Sequence, residues 1–251
     1  MIAAKTVLVT GAARRIGAVI ARHLAGEGWR VAIHYHEHAE AAFALAGMLP
    51  SAIALPGDLA DPATPAALLA GARTAFGAPL AGLVNNASLF RFDVPPLVDA
   101  ALLGEHHAVN LAAPALLASA LALQDDLAEG AVVNLLDQKL ANPNPDFFSY
   151  SCAKTALGGA TTMLAQALGP RIRVNAVSPG IALPSGGQSE AEYRAVASDN
   201  LLRRPIAVDD IARAVAWLLS ARGVAGQNLF VDCGQRFVPS ARDVMFAVAH
   251  G

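Results

Sequence analysis

Asp137, Tyr150 and Lys154 are the side chains of this sequence whose types and spacing best suit proton transfer. Tyr150 and Lys154 stand four residues apart at the start of a helical stretch, which puts them on one face. An ammonium beside a phenol favours the phenolate form, so the pair predicts a tyrosine able to exchange a proton during a redox step. Tyr-x-x-x-Lys alone is common on surface helices. Its place after a fifth apolar run, downstream of Asn110, makes it specific. Asp137, at the end of that run, reads either as part of the same site or as a solvent-facing loop carboxylate.

A second constellation, Thr10-Gly11-Ala12-Ala13-Arg14-Arg15-Ile16-Gly17, lies between the first apolar run and the first helical stretch. Gly11 and Gly17 suit a tight turn and close helix approach, with a helix N-terminus facing bound phosphate. Arg15 takes the place of the middle glycine of the three-glycine dinucleotide fingerprint and can bring a guanidinium to a pyrophosphate or a substrate. At the end of the second run, His34-Tyr35-His36 carries no carboxylate of the kind that accepts the ribose hydroxyls of NAD. Arg14, Tyr35, His36 and His38 could instead receive a ribose phosphate. This favours NADP, with NADPH as reductant. Glu37 would disfavour that charge if it turned inward, so use of NAD stays open. Asp58-Leu59 after the third run could hold an adenine edge, or Asp58 could cap the next segment. Asn85, Ala87 and Ser88 after the fourth run are small and amide side chains suited to cofactor contacts, though Asn85-Asn86 could equally be turn chemistry.

Seven short, nearly continuous apolar runs must position these groups: Lys5-Val9, Arg30-Tyr35, Ser51-Leu55, Leu80-Asn85, Ala131-Leu136, Arg171-Val177 and Asn228-Val231. Such strands are usually covered on both faces. Helical stretches fall near 17–27, 37–47, 64–76, 97–123, 150–168 and 208–219. The alternation predicts an α/β fold, a Rossmann-like, doubly wound, seven-stranded and mostly parallel sheet with helices on both faces. No linker interrupts 1–251, so one domain is expected, with a Gly-, Pro- and Ser-rich substrate loop near 179–200 as a candidate lid.

The composition narrows the partners. Eighteen basic and 20 acidic residues leave a net charge of −2 with no long basic run, which argues against nucleic acid as the main partner. No apolar stretch is long enough to span a bilayer. Cys152 and Cys233 are far apart and lack metal-ligand spacing, as in a reduced, cytoplasmic protein without a bound metal. Met1–Lys5 reads as running straight into a strand without a signal-peptide cleavage pattern. A hydrophobic fraction of 55% against 15% charged suits a buried sheet and helix-helix subunit contacts.

Taken together, these motifs resemble the short-chain dehydrogenase/reductase family over nearly the full chain. That family's proton-transfer set is an Asn, a Ser and Tyr-x-x-x-Lys. Asn110, in Val109-Asn110-Leu111-Ala112-Ala113-Pro114, matches the asparagine, and Tyr150 and Lys154 match the last pair. The serine position is Asp137. A serine offers a neutral hydroxyl to a carbonyl oxygen, whereas an ionised aspartate repels a growing oxyanion and suits a proton relay or a bond to a ring nitrogen or amino group. With the arginine turn, His34-Tyr35-His36 and Asn85-Asn86-Ala87-Ser88-Leu89-Phe90, this departure resembles the pteridine reductase branch. The resemblance implies that Arg15 approaches the cofactor phosphates and the pterin, and that Phe90 stacks on the pterin against the nicotinamide. It also implies that Pro179, Gly180 and Ile181 turn onto the nicotinamide, and that the protein is a homotetramer built through equivalent helices. The branch usually has Arg-Ser after its His-Tyr-His element, where this chain has Glu37-His38.

Three functions compete. The first is NADPH-dependent reduction of a pterin, a dihydropterin such as dihydromonapterin or a dihydrofolate-like compound. The second is reduction of a ketone or 3-oxoacyl thioester, for which Asp137 is an awkward replacement. The third is a non-enzymatic nucleotide-sensing oligomer, which the reactive set disfavours. The C-terminal residues from Gln235 to Gly251 extend past the last strand and could cover a neighbouring subunit.

Overall fold

The structure, a computed structural model, describes residues 5–185 and 187–246. Met1–Ala4, Gly186 in the substrate loop and the last five residues of the C-terminal extension lie outside them. Strands β1 (Thr6–Val9), β2 (Arg30–Tyr35), β3 (Ala52–Pro56), β4 (Gly82–Asn85), β5 (Gly130–Leu135), β6 (Ile172–Pro179) and β7 (Asn228–Val231) form one sheet. Their order is β3-β2-β1-β4-β5-β6-β7, and every neighbouring pair is parallel. The helices are α1 (Arg15–Gly26), α2 (Ala39–Met48), α3 (Thr64–Phe76), α4 (Ala100–His107), α5 (Ala113–Ala122), α6 (Phe148–Leu168), α7 (Glu190–Val196) and α8 (Val208–Ser220).

Branched and apolar side chains fill both faces of the sheet, which is why its strands read as unbroken apolar runs rather than alternating ones. Val7 and Val9 of β1, with Val31 and Ile33 of β2, pack against Ile20 and Leu24 of α1 and Ile211 and Val215 of α8. Leu8 points the other way, into a cluster with Leu83, Val132, Leu68 and Leu69 of α3 and Leu117 and Leu121 of α5. Val9 stands opposite Ile33 on one side and Val84 on the other. The C-terminal ends of β1, β2 and β4 therefore open at one level, where the strand order reverses and ligands bind in such sheets.

Two helical expectations differ from the structure. The stretch 97–123 is not one regular helix: α4 and α5 are joined by a π-helical turn, Ala108–Ala112. Pro114 has no N–H to return to the Asn110 carbonyl, and the widened turn accommodates that missing bond. The substrate loop is not irregular throughout, because α7 forms within it. Ser189 accepts from the Glu192 N–H and the Glu192 carboxylate accepts from the Ser189 N–H, a reciprocal cap written in the sequence as Ser-x-x-Glu.

Candidate active site

The glycine turn after β1 is held from three directions. Thr10 Oγ1 accepts from the N–H groups of Asn86 and Ala87, both at 3.0 Å. Asn86 Nδ2 donates to the carbonyls of Thr10 (2.8 Å) and Gly11 (3.1 Å). From β2, His34 Nδ1 accepts from Gly11 N–H at 3.1 Å while its Nε2 faces the Gly57 carbonyl at the same distance. Those partners require a neutral ring with its proton on Nε2. Burial, which pushes the imidazole pKa down, favours the same form. Gly17 has no room for a side chain, since a Cβ there would come within 2.5 Å of the Gly11 carbonyl and 2.6 Å of Asn86 Nδ2. Gly11 takes φ +60. The result is a bare backbone cradle at the start of α1, suited to the pyrophosphate of a dinucleotide.

At the far edge of the turn, the Arg14 guanidinium is bonded to the His38 ring, and Glu37, its side chain 76% exposed, brings its carboxylate to 3.8 Å from His38 Nε2 at the rim of the cleft. Arg15 does not lie along the turn: its Nη2 donates to the Pro184 carbonyl of the substrate loop at 2.7 Å. Tyr193 on α7 donates to the Ala182 carbonyl at 2.9 Å, so the loop is pinned at two points.

The reacting end is assembled by α6. Phe147, just before it, adopts a left-handed conformation and offers no side-chain cap. Asp93 supplies the cap from a distant loop: its Oδ1 accepts from Ser149 N–H at 2.9 Å, and its Oδ2 accepts from the Ser149 hydroxyl. This fixes the first turn, on which Tyr150 sits. The Tyr150 hydroxyl donates to Asp137 Oδ2 at 2.7 Å, while Asp137 Oδ1 accepts from Lys139 N–H at 2.8 Å. Lys154 Nζ donates to the Leu135 carbonyl at 2.6 Å and lies 5.8 Å from the Tyr150 ring centre.

Tyr150 and Lys154 are buried and Asp137 is half-buried, and desolvation decides their electrostatics. The Asp137 carboxyl is pushed up by desolvation, against the Lys139 and Tyr150 hydrogen bonds that favour its charge. Desolvation lowers the Lys154 ammonium to about 8 despite the opposing pull of Asp137. The Tyr150 phenol is raised well above its ordinary range, first by burial and then by the Asp137 charge. This corrects the expectation that Lys154 favours a phenolate. An uncharged phenol bonded to a carboxylate is instead a proton donor held ready next to a relay.

These groups line one cleft of about 810 Å³ at the C-terminal edge of the sheet. It brings together Gly11, Arg14, Arg15, Ile16, Gly17, Tyr35, His36, Asp58, Leu59, Ala87, Ser88, Phe90, Asp137, Tyr150, Lys154, Pro179, Gly180 and Ile181. Phe90 stacks on Phe147 with ring centres 4.0 Å apart and meets Tyr150 edge-on at 4.7 Å. Asp58 also caps its own turn, accepting from Ala60 N–H at 2.9 Å.

A family model described as enoyl-(acyl carrier protein) reductase matches residues 11–236. A short-chain type dehydrogenase/reductase of Picea abies is 34% identical, over 92% of this chain and 92% of its own length. The chain belongs to the short-chain dehydrogenase/reductase family. It is also 31% identical to the 3-oxoacyl-[acyl-carrier-protein] reductase FabG of Staphylococcus aureus, over 92% of this chain and 97% of that protein. Among solved structures, FolM alternative dihydrofolate reductase 1 from Brucella canis, complexed with NADP, superposes with a TM-score of 0.90 at 39% identity, covering 97% and 98% of the two chains. The corresponding Brucella suis protein is equally similar. This likeness sets the chain in the pteridine reductase-like branch of the short-chain family.

Two of the candidate residues of this short-chain oxidoreductase lie outside the cleft. Asn85 is turned into the core, where its Nδ2 donates to Asn134 Oδ1 at 2.8 Å, and its neighbour Asn86 faces the cleft instead. A one-residue step along a strand reverses the face, so the Asn-Asn pair left the two indistinguishable in sequence. Asn110 is fully buried in the π turn and clamps the backbone of Leu89, accepting from its N–H at 2.8 Å and donating to its carbonyl at 2.9 Å. It thereby braces the segment carrying Phe90. Lys139 and Asp243, which also line the cleft, went unread, as did Asp93 behind it. Their partners are remote in sequence and no local pattern marks them. The described part of the C-terminal extension lies on its own chain, against this cleft. No group of His, Cys, Asp or Glu among the described residues could hold a metal ion, and no helix among them is long and apolar enough to cross a membrane.

Proposed function

We propose that this protein reduces a pterin, either a dihydropterin such as dihydromonapterin or a dihydrofolate-like compound, with NADPH as the reductant. The observation that carries this reading is the Tyr150 hydroxyl donating to Asp137 within a cleft that also presents Phe90. A neutral acid backed by a carboxylate suits protonation of a ring nitrogen. The same carboxylate would oppose the negative oxygen that develops in simple carbonyl reduction. The FolM likeness supports both the substrate class and NADP.

A reduced nicotinamide, when bound, supplies the hydride. The chain's own residues do the rest. The backbone of Gly11, Arg15, Ile16 and Gly17 would cradle the pyrophosphate, and Arg14 with Tyr35, His36 and His38 would receive the ribose phosphate. Glu37, mostly exposed but with its carboxylate 3.8 Å from His38 Nε2, would have to turn away from that phosphate. Asp58 and Leu59 would hold the adenine, and Asn86, Ala87, Ser88, Lys154, Pro179, Gly180 and Ile181 the nicotinamide half. Tyr150 gives its proton to the nitrogen next to the carbon being reduced, and Asp137 relays the replacement.

A second reading, reduction of a carbonyl or 3-oxoacyl thioester, is favoured by the FabG relatives. Purified protein assayed with NADPH and NADH against dihydropterins, dihydrofolate, ketones and a 3-oxoacyl thioester separates the two. Pterin-dependent oxidation of NADPH is expected, and fast ketone or thioester turnover without pterin turnover overturns the reading. We also propose a cytoplasmic homotetramer assembled through α5 and α6, which leave Leu116 and Met163 exposed.

A further inference from the structure

The C-terminal segment past β7 crosses back to the substrate end of the cleft and is fastened there. Asn142 Nδ2 donates to the Val238 carbonyl at 2.7 Å. Asp146 Oδ2 accepts from both Arg242 Nε and Asp243 N–H, each at 2.7 Å. Phe246 lies near-parallel to Phe147, with ring centres 6.3 Å apart, and Phe147 in turn stacks on Phe90. These anchors deliver one side chain with chemistry, Asp243, into the cleft wall. Its Oδ2 accepts from Lys139 Nζ at 3.0 Å, and of the two side chains the carboxylate is the more open, 15% exposed against 5% for the lysine. Lys139, the less exposed of the two in the cleft wall, also donates to the Asp146 carbonyl. The Asp243 charge reaches the reacting groups, adding to the upward push on both the Asp137 carboxyl and the Tyr150 phenol.

We infer that Asp243 is a specificity-determining residue, which makes the cleft favour substrates that present neutral hydrogen-bond donors and disfavour those that carry an anionic group near the reacting ring. Beyond its bonds to Lys139 Nζ and to the Met245 N–H (3.2 Å), each Asp243 oxygen keeps a further lone pair that can accept from a hydroxyl or amino group, and as the more exposed member of its ion pair the carboxylate meets an incoming carboxylate before the Lys139 charge that offsets it. Under the pterin reading, on which this use of the inference rests, a polyhydroxylated dihydropterin is preferred over a dihydrofolate with its glutamate tail.

The test measures kcat/KM for two matched pairs in wild type, Asp243→Asn and Asp243→Glu. One pair is a neutral polyol-bearing dihydropterin and dihydrofolate; the other is a neutral 3-oxo ester and the corresponding 3-oxo acid. Whichever pair is turned over, the neutral-to-anionic ratio should fall about tenfold in D243N, through KM rather than kcat, as expected for a lost charged hydrogen bond. D243E should restore it. Thermal melting of each variant identifies any loss of fold. A ratio unmoved by D243N in a folded enzyme, or a fall that D243E fails to reverse, overturns the inference. Turnover of the 3-oxo pair alone overturns the pterin reading, and the ratio within that pair still decides the role of Asp243.

Discussion

Replacing Asp137 by Asn keeps the shape of the side chain and removes its charge. The Tyr150 phenol should then ionise more easily, since the Asp137 charge is the second cause, after burial, of its raised pKa. Two unit charges about 4 Å apart at an effective dielectric near 20 interact by about 4 kcal/mol. The hydroxyl and Asp137 Oδ2 are 2.7 Å apart, so a clear drop towards the ordinary value is expected. Burial is untouched and still pushes the phenol up. Ultraviolet difference titration of D137N against D137N/Y150F isolates this phenol from Tyr35 and Tyr193. Pterin turnover should fall by about 10²–10⁴-fold, the usual loss for one positioned proton-transfer group, because the relay behind the phenol is gone. NADPH affinity should change little. The reasoning fails if Tyr150 titrates alike in D137N and wild type, or if D137N reduces pterin at the wild-type rate.

Tyr150→Phe should be at least as damaging as D137N in the same assay, because the ring remains while the transferable proton disappears. Asp137→Ser should fold and bind NADPH but lose pterin turnover, and a gain of ketone reduction would support a role for this position in choosing the electrophile. Lys154, lowered to about 8 from 10.5, holds its proton less well folded than unfolded, so it penalises the folded apoprotein below pH 8 by roughly 3 kcal/mol and less as pH rises towards 10. Denaturant melts should show the stability of wild type relative to Lys154→Met improving between pH 8 and 10, and a constant difference would refute this. His34→Leu strands the Gly11 N–H and Gly57 carbonyl and should cost about 2–4 kcal/mol in a urea melt; a loss below about 0.5 kcal/mol would show that the histidine does not pin the turn. Light scattering at micromolar concentration should give a tetramer, and a monomer removes that proposal.

The sheet was legible because each strand is apolar on both faces, and a run such as Arg30-Tyr35 has few other stable placements than a covered parallel strand. Helix interruptions were less so. The Ser189-x-x-Glu192 cap was readable and announces α7, but its seven residues are too short for apolar periodicity to register. In the site, Tyr150 and Lys154 were found by spacing, Asp137 by its departure from the family's serine, and the Gly11–Gly17 cradle by its position after β1. His34 was read as part of the His-Tyr-His element but not as the pin of the Gly11 turn, and Asp93 and Asp243 were not found. Each acts on a group 23, 56 or 104 residues away along the chain, and nothing near it in sequence distinguishes such a residue from an ordinary loop or strand member.

The protonation state of Tyr150 shows where local pattern stops being enough. Spacing along α6 puts an ammonium near the phenol, and in water that proximity alone would lower the phenol's pKa. Folding adds two effects that spacing does not carry. The turn after β5 brings Asp137 closer to the hydroxyl than Lys154 is, and α6 with the loops around it removes the water from all three groups. The Lys154 ammonium is itself weakened by that burial and donates to the Leu135 carbonyl rather than to the tyrosine. The carboxylate therefore governs the phenol. A serine at position 137 would leave the lysine as the nearer influence and return the site to the balance that suits a carbonyl oxygen. Under the proposed function, aspartate in the family's serine position would decide to what the cleft can give the Tyr150 proton, while the fold that positions it stays the same.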